Sequence, residues 1–373
     1  MLYLDNSATT QIHPEVKDAM LPYLLEEYGN PSSKYYSLAE NAKKAVETAR
    51  DQVANLLGCK TDEIVFTSGS TEGNNMILKG IADYYGTENK HIITTKVEHP
   101  SVLETCRYLE TKGFDITYLD VDRFGRIDLD NFEIIINEKP PILVSILWGN
   151  NEIGSLNPIR KIGELCQKYN IRFHTDATQV VGKVKFKFNK FDGLNFLTCS
   201  AHKFHGPKGV GVVVLKKDHL GLKAKITPLL HGGSQENGYR SGTLAVHNIV
   251  GMGKAAELAN KKIDKNIDHI LAIESSLINI LSNKFHENIK FNNDFNDKLP
   301  GILSVQFLGI NNEILVKQLA PIIAVSTGSA CSSAKPSHVL LEIGLSINDV
   351  RNTIRFSCSS TTKSHDLDVL NKL

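Results

Sequence analysis

A lysine that can do chemistry stands in the stretch Leu194 to Leu215, LNFLTCSAHKFHGPKGVGVVVL. An apolar run ends at Cys199, Ser200-Ala201-His202-Lys203 breaks it, and Gly206-Pro207-Lys208-Gly209 turns the chain. Val210 to Leu215 is a second β-branched run, so Lys203 is placed on a short loop between two buried strands. Apolar walls disfavour the charged form of a lysine and leave a more nucleophilic amine, as a Schiff-base lysine needs. The hydroxyl of Ser200 and the imidazole of His202 stand beside it and can bind a phosphate. Taken alone, the same pattern fits a polar loop facing solvent.

Further polar groups follow other apolar runs. After Thr67 comes Ser68-Gly69-Ser70-Thr71-Glu72-Gly73-Asn74-Asn75, whose small residues open a helix N-terminus to an anion. Ser70 or Thr71 can equally serve as a plain helix cap. After Thr95 come Glu98 and His99, after Leu147 comes Trp148-Gly149-Asn150-Asn151-Glu152, and after Thr175 comes Asp176-Ala177-Thr178-Gln179. Each alone fits a satisfied loop residue. Together with Lys203 they supply a lysine, a carboxylate, an imidazole, amides and an anion cradle. Those groups suit pyridoxal 5'-phosphate, which takes a Schiff-base lysine and an acid partner for its pyridinium nitrogen. Neither G-x-x-x-x-G-K-[ST] nor a G-x-G-x-x-G after a strand is present, which argues against nucleotide binding.

The elements that must position these groups alternate. Strands are expected at 63–67, 91–95, 115–119, 142–147, 172–175, 194–199 and 210–215, with helices from about 72, 101 and 159. This rhythm predicts an α/β fold with a mostly parallel sheet covered by helices, and ligands bind beyond the carboxyl ends of such strands. Ahead of it, Pro14 opens a helix to about Leu25. Ala42, Ala45, Val46, Ala49, Val53, Leu56 and Leu57 then form the stripe of a second helix. From Val246 to Phe285 the text is helical and charged. A smaller α+β piece follows, with strands at 302–307, 322–326 and 353–357 and helices at 312–319 and 339–343.

The 373 residues exceed one small core, and the expected division is a large domain over 14–255 and a small domain made of 1–13 and 256–373. A net charge of +1 leaves no electrostatic footprint for nucleic acid or an anionic membrane. No apolar run has membrane-spanning length, and MLYLDNSATT lacks the marks of a signal peptide, so a cytoplasmic location is expected. The six cysteines show neither C-x-x-C nor zinc spacing. Cys106, Cys166 and Cys199 lie in apolar segments and read as buried. Cys331 differs: it sits in Gly328-Ser329-Ala330-Cys331-Ser332-Ser333-Ala334, a stretch with little side chain to pack, and reads as a reactive thiol on a mobile loop.

YLDNSATT, FTSGSTEGNN, TKVEHPSV, NNEIG, HTDATQVVGK, SAHKFHGPKGVG, HGGSQENGYRSGT and the Gly-Ser-Ala-Cys stretch together resemble the group I cysteine desulfurases. These belong to the class V aminotransferase lineage of fold-type I pyridoxal-phosphate enzymes. The resemblance runs from Tyr3 to about Phe356. It implies that Lys203 forms the Schiff base and shuttles the Cα proton, with Asp176 on the pyridine nitrogen and Gln179 on the phenolic oxygen. It implies His99 stacked on the ring, and Ser70, Thr71, Ser200 and His202 on the phosphate. Thr243 would complete the partner's site in a homodimer. Asn151 would face cofactor and substrate, and Arg355 would grip the substrate carboxylate. Cys331 would take the sulfur of L-cysteine as a persulfide and release L-alanine. The sulfur would then pass to an acceptor protein of an iron–sulfur or thio-modification pathway.

The stretch from Cys331 to Pro336 is shorter than the family pattern, and Ser359-Ser360 replaces a glycine and a basic residue. The chain also ends soon after. All three departures bear on the sulfur acceptor. Two competing readings remain: a class V aminotransferase or lyase with Cys331 as bystander, and a sulfur-carrier or scaffold-binding protein without turnover.

Overall fold

The structure, a computed structural model, describes residues 1–87, 89–328 and 336–372. The chain begins with β1 (Leu2–Tyr3), α1 (Pro14–Leu25) and α2 (Ser37–Leu57). Pro14 suits the first turn of α1, where its missing N–H has no partner to lose, and His13 caps that turn by accepting the Glu15 N–H. α2 buries the anticipated stripe and ends where Gly58 turns left-handed at φ 69°.

Next come β2 (Ile64–Thr67), α3 (Ser70–Tyr85), β3 (His91–Thr95), α4 (Pro100–Glu110) and β4 (Asp115–Leu119). They lead to α5 (Leu129–Glu138), β5 (Leu143–Ser145), α6 (Ile159–Lys168), β6 (Arg172–Asp176), β7 (Leu194–Ser200) and β8 (Gly211–Leu215). The seven strands form one sheet in the order β2-β8-β7-β6-β5-β3-β4. β8 runs antiparallel to β2 and β7, and the remaining pairs are parallel. The expected mostly parallel α/β sheet is therefore present, with one hairpin set into it. α5 was not anticipated, because the run Ile134-Ile135-Ile136 blurs a helical period. Asp128 defines its start by accepting the N–H groups of Asp130 and Asn131.

The last third holds α7 (Val246–Phe285), β9 (Ile289–Phe291), β10 (Ile302–Phe307), α8 (Asn312–Leu319), β11 (Ile323–Ala324), α9 (His338–Glu342), α10 (Ile347–Arg351) and β12 (Thr353–Ser357). β12, β10 and β9 form an antiparallel sheet, and β1 pairs in parallel with β11. Leu2 and Leu4 join Leu277, Leu303, Val305, Ile354 and Phe356 in a core of their own. Fully burying a leucine such as Leu4 stabilises by about 2 kcal/mol. That anchorage launches residues 5–10 as a strap across the strand ends of the large sheet. There the Thr10 N–H donates to the His202 carbonyl at 2.9 Å. No helix among the described residues is long and apolar enough to cross a membrane.

Candidate active site

Beyond the carboxyl ends of β2, β3, β5, β6 and β7 lies a cavity of about 410 Å³. Ser70, Thr71, His99, Asn151, Asp176, Gln179, Ser200, His202, Lys203 and Arg355 all line it. Ten residues chosen from separate stretches of sequence thus converge on one space. Thr243 is exposed and does not line it, and Cys331 lies outside the described residues.

Asp176 ends β6 and is held from two sides. Its Oδ2 accepts from Asn74 Nδ2 at 2.7 Å, and its Oδ1 accepts from the Thr178 N–H at 3.0 Å. Asn74 lies one turn into α3, fully buried, and its Nδ2 also donates to Ser101 Oγ at 2.8 Å. Ser101 is 2.8 Å from His99 Nδ1, which also accepts the Ser101 N–H at 3.1 Å as the cap of α4. Nδ1 is therefore the acceptor and Nε2 carries the proton. Burial lowers the His99 pKa, with Asp176 opposing and Lys203 reinforcing, so the ring is held neutral.

At the other end of the cavity, Ser200 Oγ accepts the Ser70 N–H at 2.7 Å and lies 3.0 Å from Ser70 Oγ. This joins the end of β7 to the first turn of α3, a helix N-terminus of the kind that suits an anion. His202 is bonded through Nδ1 to Thr9 Oγ1 at 3.1 Å, and burial, with the charges of Lys203, Lys208 and Lys183, pushes its pKa down to about 4. Lys203 ends the turn Ala201–Lys203. Its walls are not apolar as the sequence suggested: Nζ donates to the carbonyls of Ser7 at 2.5 Å and Ala8 at 2.7 Å. The reason is the strap, which brings backbone oxygens to the lysine from the far end of the chain. Gln179 Nε2 donates to the same Ser7 carbonyl at 2.9 Å, while its Oε1 accepts from Lys183 Nζ at 2.9 Å. Lys183 is buried, and desolvation, then the charges of Lys203 and Arg355, lowers it from 10.5 to about 7.

Arg355, on β12, closes the cavity from the smaller sheet. Nη1 donates to the carbonyls of Asn151 at 3.0 Å and Gly328 at 2.9 Å, and Nη2 to Asp5 Oδ1 at 2.7 Å. Glu98, fully buried, accepts at Oε1 from Thr95 Oγ1 and the Leu147 N–H, both at 2.8 Å. Burial raises its pKa to about 8. Five buried side-chain atoms among the described residues lack a partner: Ser7 Oγ, Glu98 Oε2, Tyr118 Oη, Thr178 Oγ1 and Arg355 Nε. All but Tyr118 belong to residues lining this cavity. Orphaned polar atoms are costly in a folded interior, and their clustering marks a place built for a polar ligand.

The sequence alone assigns no place in the site to Glu98 or Asn74, nor to Asp5, Ser7, Ala8, Lys183 and His338. A signal was present for Asn74, an amide on the inner face of a helix one turn from an anion-binding start. None was present for Ser7 and Ala8, which act through backbone carbonyls.

Comparisons with known proteins give the chain a family. The family model described as "Aminotransferase class-V" matches residues 2–370. A cysteine desulfurase IscS from Dictyoglomus turgidum is 43% identical over 379 residues, covering 100% of this chain and 94% of the relative. One from Rickettsia prowazekii is 40% identical over 369 residues, covering 98% and 88%. Among solved structures, a NifS-like protein superposes with a TM-score of 0.91 at 36% identity, covering 100% of this chain and 97% of its own. A structure titled "SspA in complex with cysteine" gives 0.84 at 34% identity, covering 97% and 100%. With its fold, its strand-end cavity and full-length relatives in accord, the chain belongs to the class V aminotransferase family and, within it, to the cysteine desulfurases.

Proposed function

We propose that the protein converts L-cysteine to L-alanine with pyridoxal 5'-phosphate and takes the sulfur onto Cys331 as a persulfide. The observation that carries this is the convergence of Lys203, Asp176, His99, the Ser70–Ser200 cradle and Arg355 on one cavity whose lining holds four orphaned polar atoms. The donor set fits the cofactor. A buried carboxylate suits a pyridinium, the hydroxyls and imidazole of Ser70, Thr71, Ser200 and His202 suit a phosphate, and Lys203 supplies the amine for covalent attachment. When bound, pyridoxal phosphate supplies an electron sink beside the substrate Cα.

The protein's own groups do the rest. Lys203 Nζ takes up and returns the Cα proton. Asp176, fixed by Asn74 and Thr178, holds a proton donor facing it, and Gln179 is aimed by Lys183 and Ser7. Neutral His99 presents Nε2–H to the cavity. Arg355 takes the substrate carboxylate beside Asn151. The Cys331 thiolate attacks the substrate sulfur: the S–S bond forms as the C–S bond breaks, and the carbon fragment gains a proton and leaves as alanine. A structural neighbour titled as a complex with cysteine supports this substrate class.

The same reading makes the protein a cytoplasmic homodimer in which Thr243 serves the partner's cavity. It divides the chain into a domain of 14–255 and one of 1–13 with 256–373, supported by the separate core around Leu4 and Phe356. The persulfide would pass to an acceptor protein for iron–sulfur clusters or thio-modification. Incubation with L-cysteine and a thiol reductant tests the reaction. With the reductant, which discharges a persulfide as sulfide, one alanine per sulfide is expected; in a parallel incubation without it, a one-sulfur mass gain on the peptide holding Cys331 is expected. Alanine without any such gain would make Cys331 a bystander and leave an ordinary lyase.

A further inference from the structure

Asp5 occupies Arg355, and that pairing has a functional consequence. Arg355 is 1% exposed, and its backbone is held by pairing with Ser304 on β10 and by bonds with Ser326. Two carbonyls, Asn151 and Gly328, fix Nη1. The guanidinium therefore has its orientation without Asp5. What Asp5 adds, at 2.7 Å from Nη2, is a negative charge. Its delivery is deliberate in the fold: β1 pairs with β11, Leu4 buries, Asp5 bridges to Ser357, and Asn6 bonds the Ser357 carbonyl. The other nearby carboxyl, Glu152, accepts from Ser337 Oγ and is pushed by burial toward its neutral form, opposed by Ser337, Arg355 and His338.

A guanidinium has five N–H groups. Three are engaged here, leaving Nε–H, which has no partner among the described residues, and one Nη2–H. These can receive an incoming carboxylate. That carboxylate meets an arginine already paired with Asp5, so it must share or displace the resident anion. We propose that Asp5 is the resident counter-ion of Arg355 and sets how tightly the cavity takes an amino-acid carboxylate. The inference rests on the reading of Arg355 as the substrate-carboxylate group. Its effect falls on substrate and product alike, and keeps alanine from lingering on a bare buried arginine.

The test uses the cofactor-loaded protein, calorimetric titration with L-alanine, and the KM for L-cysteine. Asp5→Asn keeps an oxygen acceptor for Nη2 and removes the charge, so the alanine Kd should fall about tenfold and the KM should fall with it. Asp5→Glu restores the charge and should bring the Kd back to within about twofold of the parent. If Asp5→Asn does not load cofactor, Asp5→Ser is read in the same way. A role in mere structural support predicts the opposite sign, weaker binding on removal. Arg355→Gln separates the two levels and should weaken alanine by about 100-fold. If Arg355→Gln weakens binding while loss of the Asp5 charge leaves it unchanged or weaker, the counter-ion inference is overturned and the carboxylate reading stands. If Arg355→Gln changes nothing, the carboxylate reading fails and takes the inference with it.

Discussion

At the scale of single residues, two cysteines of one chain should behave in opposite ways. Cys358 is buried beside β12, and desolvation, with Glu274 adding, pushes its thiol up to about 12. Such a group is inert. Cys358→Ser should cost stability of about 1 kcal/mol by burying a hydroxyl, with turnover per folded molecule retained. Cys331→Ser should still bind cysteine, yet form alanine at least about 100-fold more slowly and gain no sulfur by mass, because a serine hydroxyl is a poor acceptor of sulfur. Alanine formation at the parent rate would remove Cys331 from the reaction. Lys183 offers a pH test. Its folded pKa of about 7 lies below its ordinary 10.5, so between those values the unfolded chain binds the extra proton. Stability from this group is thus lowest below pH 7 and grows as pH rises toward 10.5. Urea midpoints at pH 7 and 9 should show the parent gaining about 2 kcal/mol over Lys183→Met, whose methionine has no such proton. Parallel curves would show that Lys183 keeps its charge in the fold.

At the scale of elements, the β7–β8 hairpin holds Lys203 and Ser200, the latter one side of the proposed phosphate cradle. Gly211 pairs with Thr67 on one side and Ser200 on the other. A Cβ there would stand 2.5 Å from the Cys199 carbonyl oxygen and 2.7 Å from Gly69 Cα. Space alone excludes a side chain, and both neighbours are backbone. Gly211→Ala should therefore cost about 3 kcal/mol and displace Gly69, which leads into Ser70. Thermal unfolding reads the first effect and equilibrium dialysis of pyridoxal phosphate the second. A variant of parental stability and cofactor affinity would mean that the strands yield more easily than their packing indicates.

At the scale of the whole molecule, the segment holding Thr243 is anchored while Thr243 itself stays exposed. Arg240 pairs with Glu72, and the buried Glu236 takes Arg50 at 2.8 Å through both Nη atoms and the Phe66 N–H at 2.8 Å. A fixed loop that aims a threonine outward suits service to a neighbouring copy. Subunit mixing tests this. Lys203→Ala and Thr243→Asp proteins should each be inactive, the second by repelling the phosphate. A 1:1 mixture should recover about a quarter of parental activity, since about half of the reassorted dimers are heterodimers and each of those has one of its two cavities intact. No recovery on mixing would place Thr243 in its own subunit's site or in none.

The sequence by itself determined the residue types and the alternation of strands and helices that builds the large, mostly parallel sheet. Strand-end positions such as Ser70, His99, Asp176 and Lys203 were legible because each follows an apolar run, and a parallel sheet collects the ends of its strands on one side. Helices with clean periodicity, such as α2, were legible for the same local reason, while α5 was not, because consecutive isoleucines satisfy a strand as well as a helix. Only the tertiary structure decided what joins those ends. The Ser7 and Ala8 carbonyls on Lys203, Asp5 on Arg355, and Asn74 between Asp176 and Ser101 are contacts over long separations in the chain. The first two of these links use the strap, whose path is set by where Leu2 and Leu4 bury. Backbone oxygens carry no residue-type signature, and an ion pair between positions 5 and 355 has no period to betray it. Such links exist only once two cores have formed and brought the two ends of the chain to one cavity.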